Sequence, residues 1–395
     1  MLVAAFGDPG HAFPAIALSR GLAARGHDVF LETWERWREP VEVLGINFLA
    51  AEQYKVFPPT PSARSSVPSV VEAAQALVPA MREIGPDIVV SDVLTTAPAL
   101  AAEVAGIGRA TLIPHLWPEH IRGLPFFGVG LRPPRTPLGR RLWSAAEPLV
   151  EVGLRRGRDE LSEARLELGL AALERFHGGT SSELALLATF PQLEYPRRWP
   201  DHVRITGPLL YEPAGGDVVP MPDPGDDRGP LVIVAPSTAK DPDCELVRMA
   251  LRALADEPVR VIATMNRHAP DLPIEVPANA TVVDWLSYER LMPEADLVIC
   301  HGGHGTVARA LSSGTPVLVS PIDGDMAENG VRVDWAGCGR MIPRRLTHPA
   351  GLRAAVRLLL DEPYIADQAR GLAAWATANN GEERAAAAIE RHLAA

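Results

Sequence analysis

The feature that most limits the fold is an alternation that runs through the chain twice. Short apolar runs rich in β-branched residues, such as "PDIVV", "LVIVA" and "LVIC", are separated by segments of helical length and period. That alternation marks a parallel sheet covered by helices, because parallel neighbours need a crossover long enough to hold a helix. The first half reads as strands at 1–6, 28–33, 46–49, 87–91 and 109–113, with helices at 12–25, 70–84 and 96–105. A polar, largely helical stretch at 131–175 and a buried-type strand at 183–190 follow. Residues 211–230, "YEPAGGDVVPMPDPGDDRGP", carry no periodicity and are crowded with Pro, Gly and Asp, so they read as a linker. The second half repeats the plan, with strands at 231–235, 259–264, 280–284, 297–300 and 316–319. Its helices fall at 243–255, 287–293, 304–313 and 328–336, with two more in the tail; the last, 382–393, could pack on either domain. The expectation is an α/β chain of two doubly wound parallel-sheet domains, 1–210 and 231–395, facing a central cleft.

Composition narrows the function. The net charge of −11 argues against a protein that clamps a nucleic-acid backbone. No apolar run is long enough to span a bilayer, so no membrane span is expected. The opening "MLVAAF" is too short for a signal peptide and lacks a basic flank. Cys244, Cys300 and Cys338 lie too far apart in sequence for a disulfide framework or a CxxC metal site, which fits a reducing cytoplasm.

In an open parallel sheet, ligands bind beyond the C-terminal strand ends, where the strand order reverses. For the order 3-2-1-4-5 that crevice lies between strands 1 and 4. Strand 1 ends just before "GDPGHAFP" and so delivers His11; strand 4 ends at Ser91 and Asp92. A carboxylate beside an imidazole holds one tautomer and stabilises the imidazolium, leaving the other nitrogen as a general base. The competing readings are local: His11 bonded to backbone at a helix entry, and Asp92 capping the helix that starts near Thr96.

The second domain repeats the geometry. Its first strand ends "VAPSTAK" and its fourth runs into "LVICHGGHGTVARAL". Gly302, Gly303 and Gly305 let backbone N–H groups approach an anion, and the helix that follows adds the positive end of its dipole. His301 and Thr306 supply side-chain donors, faced by Ser237 and Thr238 from the neighbouring strand. Together they make a phosphate or diphosphate cradle that has neither GxGxxG nor a P-loop lysine. His304 either touches the ligand or sits on the helix. Further on, "PVLVSPIDGDMAENG" crowds Asp323, Asp325, Glu328 and Asn329 into one loop. A polyol is the natural guest of such a loop; no histidine is spaced to join a metal site, and solvated acids remain the plain reading of Asp323 and Glu328. Trp285, at the end of the third strand, either stacks on a nucleobase or belongs to the core.

"GHAFP" near the start, "TGPL" before the linker, "DW" followed by "HGGHGT", and Asp325 to Asn329 as "DxxxN" occur in one order. On these motifs the chain resembles, over essentially its whole length, the GT-B-fold, nucleotide-sugar-dependent glycosyltransferases of family 1, especially the bacterial natural-product branch that acts on macrolides, polyketides and antibiotics. The resemblance implies two Rossmann-like domains, the first binding acceptor and the second donor, and an inverting transfer. It implies His11 as the base and Asp92 as its partner. It implies His301 and Thr306 on the donor diphosphate, in the cradle with Gly303, Gly305, Ser237 and Thr238. Trp285 would then stack on the base, and Asp325 would bind sugar hydroxyls, flanked by Met326 and Asn329. No metal and no other cofactor is expected, because the helix terminus takes the leaving-group role. The implied partners are a nucleotide-sugar and a hydrophobic small molecule; the oligomeric state stays open, a homodimer included.

Two departures from the family pattern matter. Ser287 and Tyr288 stand where the family often has Pro-Gln, so uridine and thymidine both remain open. Met326 stands where the family has glutamine after the aspartate. An amide suits a sugar hydroxyl, whereas a thioether suits its absence, which points to a thymidine-linked deoxysugar. The acceptor is expected over the first domain, against Trp117, Phe126 and Phe127 in "PHLWPEHIRGLPFFGVG" and beside a loop at 57–69; a packed loop core is the competing reading. Other functions this architecture allows are a sugar-nucleotide epimerase, a phosphorylase using Lys240, and a silent auxiliary partner of another transferase. The pairing of His11 with Asp92 argues against the last.

Overall fold

The computed structural model describes residues 1–51, 67–174, 179–213, 229–238, 240–271, 273–322 and 324–395, with the side chains of 67–69 and 344 left aside. Of the sequence expectations, the loop at 57–69 up to residue 66, the linker from 214 to 228, and Asp323 lie outside the described residues.

The first sheet has seven strands: β1 (Leu2–Ala4), β2 (Phe30–Thr33), β3 (Asn47–Ala50), β4 (Ile88–Asp92), β5 (Gly108–Ile113), β6 (Leu184–Leu187) and β7 (Val203–Ile205). They lie in the order β3-β2-β1-β4-β5-β6-β7, every pair parallel. The second sheet has six: β8 (Leu231–Ala235), β9 (Arg260–Thr264), β10 (Ala280–Val283), β11 (Leu297–Cys300), β12 (Val317–Val319) and β13 (Gly339–Met341). Its order, β10-β9-β8-β11-β12-β13, is also parallel throughout. These are two doubly wound domains. β1, β4, β8 and β11 are wholly buried, as strands covered by helices on both faces must be. The sequence does not announce β7 and β13. Each has three residues with a central arginine, too short and too mixed to read as an apolar run.

The helices of the first half are α1 (Pro9–Ala24), α2 (Arg38–Glu42), α3 (Val67–Ile84), α4 (Thr96–Ala105), α5 (Pro137–Ala145) and α6 (Glu147–Glu167). Those of the second are α7 (Glu245–Leu254), α8 (Tyr288–Leu291), α9 (His304–Ser312), α10 (Asp325–Ala336), α11 (Pro349–Asp361), α12 (Pro363–Ala378) and α13 (Gly381–Leu393). α1, α3 and α10 begin earlier than the periodicity suggests, and two of them bear on the site. α1 starts at Pro9, whose fixed φ suits a first helical position, so His11 lies in the first turn and not in the loop before it. α10 starts at Asp325, whose charge the helix N-terminus favours. The acidic loop is therefore the first turn of a helix.

α13 leaves the second domain and packs on α1. Ala385, Ala386 and Ile389 join the core under the first sheet, and Arg20 and Arg25 hold Glu382 and Glu390, each at 2.5 Å. α1 is thus covered on two sides, which explains why its sequence is apolar nearly all round. The carboxyl edges of the two sheets meet across one cleft. The segment 128–130 after β5 lies directly on α10: a Cβ at Gly130 would fall 2.6 Å from Ala327 Cβ. No described helix is long and apolar enough to cross a membrane.

Candidate active site

β1 and β4 are hydrogen-bonded neighbours, so their carboxyl ends bring the first turn of α1 against Asp92. His11 Nδ1 donates to Asp92 Oδ1 at 2.8 Å, and the Asp92 side chain is fully buried. Asp92 Oδ2 accepts the Leu94 N–H at 3.2 Å, which fixes the carboxylate; Thr95, not Asp92, holds the N-cap position of α4, and its hydroxyl donates to the Ala4 and Asp92 carbonyls and not to the helix. The bond at Nδ1 leaves Nε2 as the nitrogen able to take a proton. Burial works against the imidazolium. The Asp92 carboxylate by charge and hydrogen bond, with Asp8 and Asp325 further off, outweighs it, so His11 titrates above its ordinary range. Asp325 belongs to the other domain, and its charge reaches His11 across the cleft.

The glycine loop between β11 and α9 is built around its neighbours. Gly302 has φ +92°, and a Cβ there would sit 2.7 Å from Val319 Cγ1 and 2.8 Å from the Met326 carbonyl. At Gly303 a Cβ would meet His301 Nε2 at 2.4 Å. Gly305 differs: nothing in the protein lies within 4 Å of a Cβ built there. The α9 N-terminus has no side-chain cap, so its first amides are left unsatisfied by the helix itself. His301 is buried and donates from Nδ1 to the Ala235 carbonyl at 3.4 Å. Burial lowers its basicity, against that hydrogen bond and the charges of Asp325 and Asp241. An anion arriving at its Nε2 would restore the proton. Thr306 is partly exposed on the first turn of α9. Ser237 is buried, its Oγ accepting from the Lys240 N–H at 3.0 Å, while Thr238 is exposed at the same sheet edge.

Asn329 takes a different part from the one the sequence suggested. It is buried, its Nδ2 donates to the Gly302 carbonyl at 2.9 Å, and its Oδ1 accepts from His304 Nδ1 at 3.0 Å. The amide is spent on bracing the glycine loop, and His304 is part of the same brace. Asp325 stands exposed at the start of α10, and Met326 beside it is buried. Trp285 is half-buried, with the Arg267 guanidinium 4.8 Å from its ring centroid. Asn266 and Arg267 both adopt left-handed φ, +50° and +64°, held by Asn266 Nδ2 on the Pro236 carbonyl at 2.8 Å. A strained turn thus carries a cation to the indole face. Ser287 caps α8, its Oγ accepting the Arg290 N–H at 3.3 Å, and Tyr288 donates its hydroxyl to Asn266 Oδ1 at 3.3 Å.

Of the aromatic residues expected around the acceptor, the structure corrects Trp117. It is 2% exposed, packs with Ile113, Leu187 and Val203, and meets Trp199 edge-on at 5.9 Å, so it belongs to the first domain's core. Phe126 turns toward α5, 5.3 Å from Trp143. Phe127 lies by the cleft, against the second domain's core and 6.5 Å from His115. His115 escapes the sequence reading, although its place just after β5 is the same carboxyl edge. Its Nδ1 donates to the Leu116 carbonyl at 2.7 Å, and its ring stands 6.2 Å from that of His11. Burial and the neighbouring His11 push it down to about 4, so it stays neutral beside a more basic imidazole. No sequence signal points to Glu194 or Arg332, which also meet at this cleft.

Two parallel-sheet domains facing one cleft, with a base-type pair on one edge and an uncapped helix after a glycine turn on the other, define the GT-B architecture. Residues 248–389 match the family described as erythromycin biosynthesis protein CIII-like, C-terminal domain. The chain is 29% identical over 391 residues to 4'-demethylrebeccamycin synthase of Lentzea aerocolonigenes, covering 92% of each chain. It is 31% identical over 310 residues to a PGL/p-HBAD biosynthesis glycosyltransferase of Mycobacterium tuberculosis, covering 74% of this chain and 67% of that one. Its fold matches the crystal structure of the glycosyltransferase VinC in complex with dTDP, with a TM-score of 0.70 at 18% identity over 100% of this chain and 99% of the other. The chain belongs to the GT-B-fold glycosyltransferases of the bacterial natural-product branch, and it is an enzyme of that class.

Proposed function

We propose that the chain moves a deoxysugar from a thymidine diphosphate donor to a hydroxyl of a hydrophobic small molecule, with inversion at the anomeric carbon. The observation that carries the reading is the His11–Asp92 hydrogen bond of 2.8 Å at the carboxyl edge of the first sheet, across the cleft from α9. In this scheme the acceptor hydroxyl gives its proton to His11 Nε2. Its oxygen bonds to the sugar C1, and the bond from C1 to the diphosphate oxygen breaks on the opposite face. Asp92 stabilises the imidazolium that results. Such a positioned base is worth about 10²–10⁴ in rate.

The leaving diphosphate is received by the amides at Gly303 and Gly305, the Thr306 hydroxyl, His301 and the hydroxyls at Ser237 and Thr238. Trp285 stacks on the base and Asp325 binds sugar hydroxyls. The scheme calls for no metal, because the helix terminus already stabilises the developing charge. Met326 in place of an amide supports a deoxygenated sugar, and the dTDP bound to VinC supports the thymidine end. Phe127 and the loop around it suit a flat apolar acceptor.

The test is transfer from dTDP-sugars to a panel of aromatic and macrolide alcohols, with the product anomer assigned by NMR. His11→Ala should lose about 10²-fold or more in kcat. Retention of configuration, or wild-type transfer by the variant, would overturn the reading.

A further inference from the structure

The cleft holds a buried chain of polar contacts that the proposed chemistry does not use. Arg332, 3% exposed on α10, lies between two carboxylates from different domains. Its Nε donates to Glu328 Oε1 at 2.8 Å, one turn back on the same helix. Its Nη1 donates to Glu194 Oε2 at 3.1 Å and to the Leu193 carbonyl at 3.0 Å, both in the first domain. The guanidinium also lies over the Tyr195 ring, 3.6 Å from the centroid.

Both carboxylates then reach the same segment. Glu194 Oε1 accepts the Trp117 N–H at 2.7 Å, and Glu328 Oε2 accepts the Gly128 N–H at 3.3 Å. The chain therefore grips the segment 114–130 near both ends. The segment's far end also lies on the first turn of α10, where a Cβ at Gly128 would come within 3.7 Å of the Gly324 backbone. That first turn carries Asp325 and Met326.

We propose that Glu328, Arg332 and Glu194 form a positioning relay that holds the acceptor segment 114–130 on the helix whose first turn reads the donor sugar. The inference rests on the functional reading above, in which Phe127 and its loop, within 114–130, meet the acceptor and α10 meets the sugar. Its physical basis is directness. Two buried carboxylates share one guanidinium, and each spends its second oxygen on a backbone amide of the segment. No slack side chain intervenes, so a shift of α10 moves the acceptor segment with it. Charge-assisted bonds in a buried setting are the stronger kind, and an orphaned partner is costly.

The test compares the wild type with Glu328→Gln and Glu194→Gln, which preserve volume. It uses acceptor and donor kinetics, together with hydrogen exchange of the peptide covering 114–130. Each variant should raise the acceptor KM by about tenfold, from loss of a charge-assisted bond, while the donor KM moves far less. The double variant should cost less than the product of the two single effects, because both act on one relay. Exchange at the Gly128 and Trp117 amides should quicken. Quicker exchange with an unchanged acceptor KM would leave a structural brace only and overturn the proposal, as would additive effects or a change confined to the donor KM. Failure of the wild type to transfer any sugar would sink the functional reading instead, and is a distinct result from normal transfer with unaltered variants, which sinks the relay alone.

Discussion

Replacing Gly305 with alanine separates ligand binding from folding more cleanly than any other change at the cleft. Gly305 sits exposed in the first turn of α9, with nothing within 4 Å of the position a Cβ would take. Alanine is the better helix former, so the variant should hold or gain stability, by about 0.5 kcal/mol. The glycine is therefore not required by the fold. If the donor diphosphate rests on the α9 amides, the new methyl stands in its way and lengthens at least one charge-assisted hydrogen bond. Such a bond is worth about 1.5–3 kcal/mol, or about 10–100-fold in affinity. Calorimetric titration with dTDP and a thermal melt on the same preparation read both quantities. Gly303→Ala is the contrast: its Cβ would collide with His301 Nε2 at 2.4 Å, so it should lose affinity and stability together. Wild-type dTDP affinity in Gly305→Ala, with an unchanged or higher melting temperature, would refute the cradle and move the diphosphate elsewhere.

Two further outcomes follow from the site. His11 must be neutral to accept a proton, and its pKa is raised, so kcat/KM should fall as pH drops through that raised value. Asp92→Asn removes the charge and the strong hydrogen bond behind the shift. The acid limb should then move to lower pH while the plateau rate falls by about 10²-fold; a limb that stays in place would disconnect Asp92 from the base. Met326→Gln should move the ratio of kcat/KM values toward dTDP-glucose over dTDP-deoxysugars by about tenfold, the worth of one satisfied buried hydroxyl. An unmoved donor profile would show that the residue after Asp325 does not read the sugar.

The two halves of the site differ in what fixed them. The order of strands, turns and helices was legible because burial on both faces forces continuous apolar runs, and because glycine turns and helix entries are local. That order alone delivers His11, Asp92 and the glycine loop to carboxyl strand ends, since a parallel sheet wound from its middle has few alternatives. The sequence also carried the chemistry of the individual groups: an imidazole, a carboxylate, uncapped amides.

Strand order brought His11 to Asp92, 81 residues away, but it could not carry who meets whom between the domains. Arg332 meets Glu194 across 138 residues and Gly128 meets Glu328 across 200. Each of these two contacts exists only because two separately wound sheets close on one another. Burial likewise decided what composition left open. Trp117 became core because it packs among Trp199 and the aliphatic side chains of one face of the first sheet, and Asn329 became a brace because it is buried with its amide bonded to Gly302 and His304. The neutral His115 is the same lesson in charge: its sequence neighbours say nothing about the burial that chiefly holds its proton off, nor about the second imidazole 6.2 Å away that adds to it.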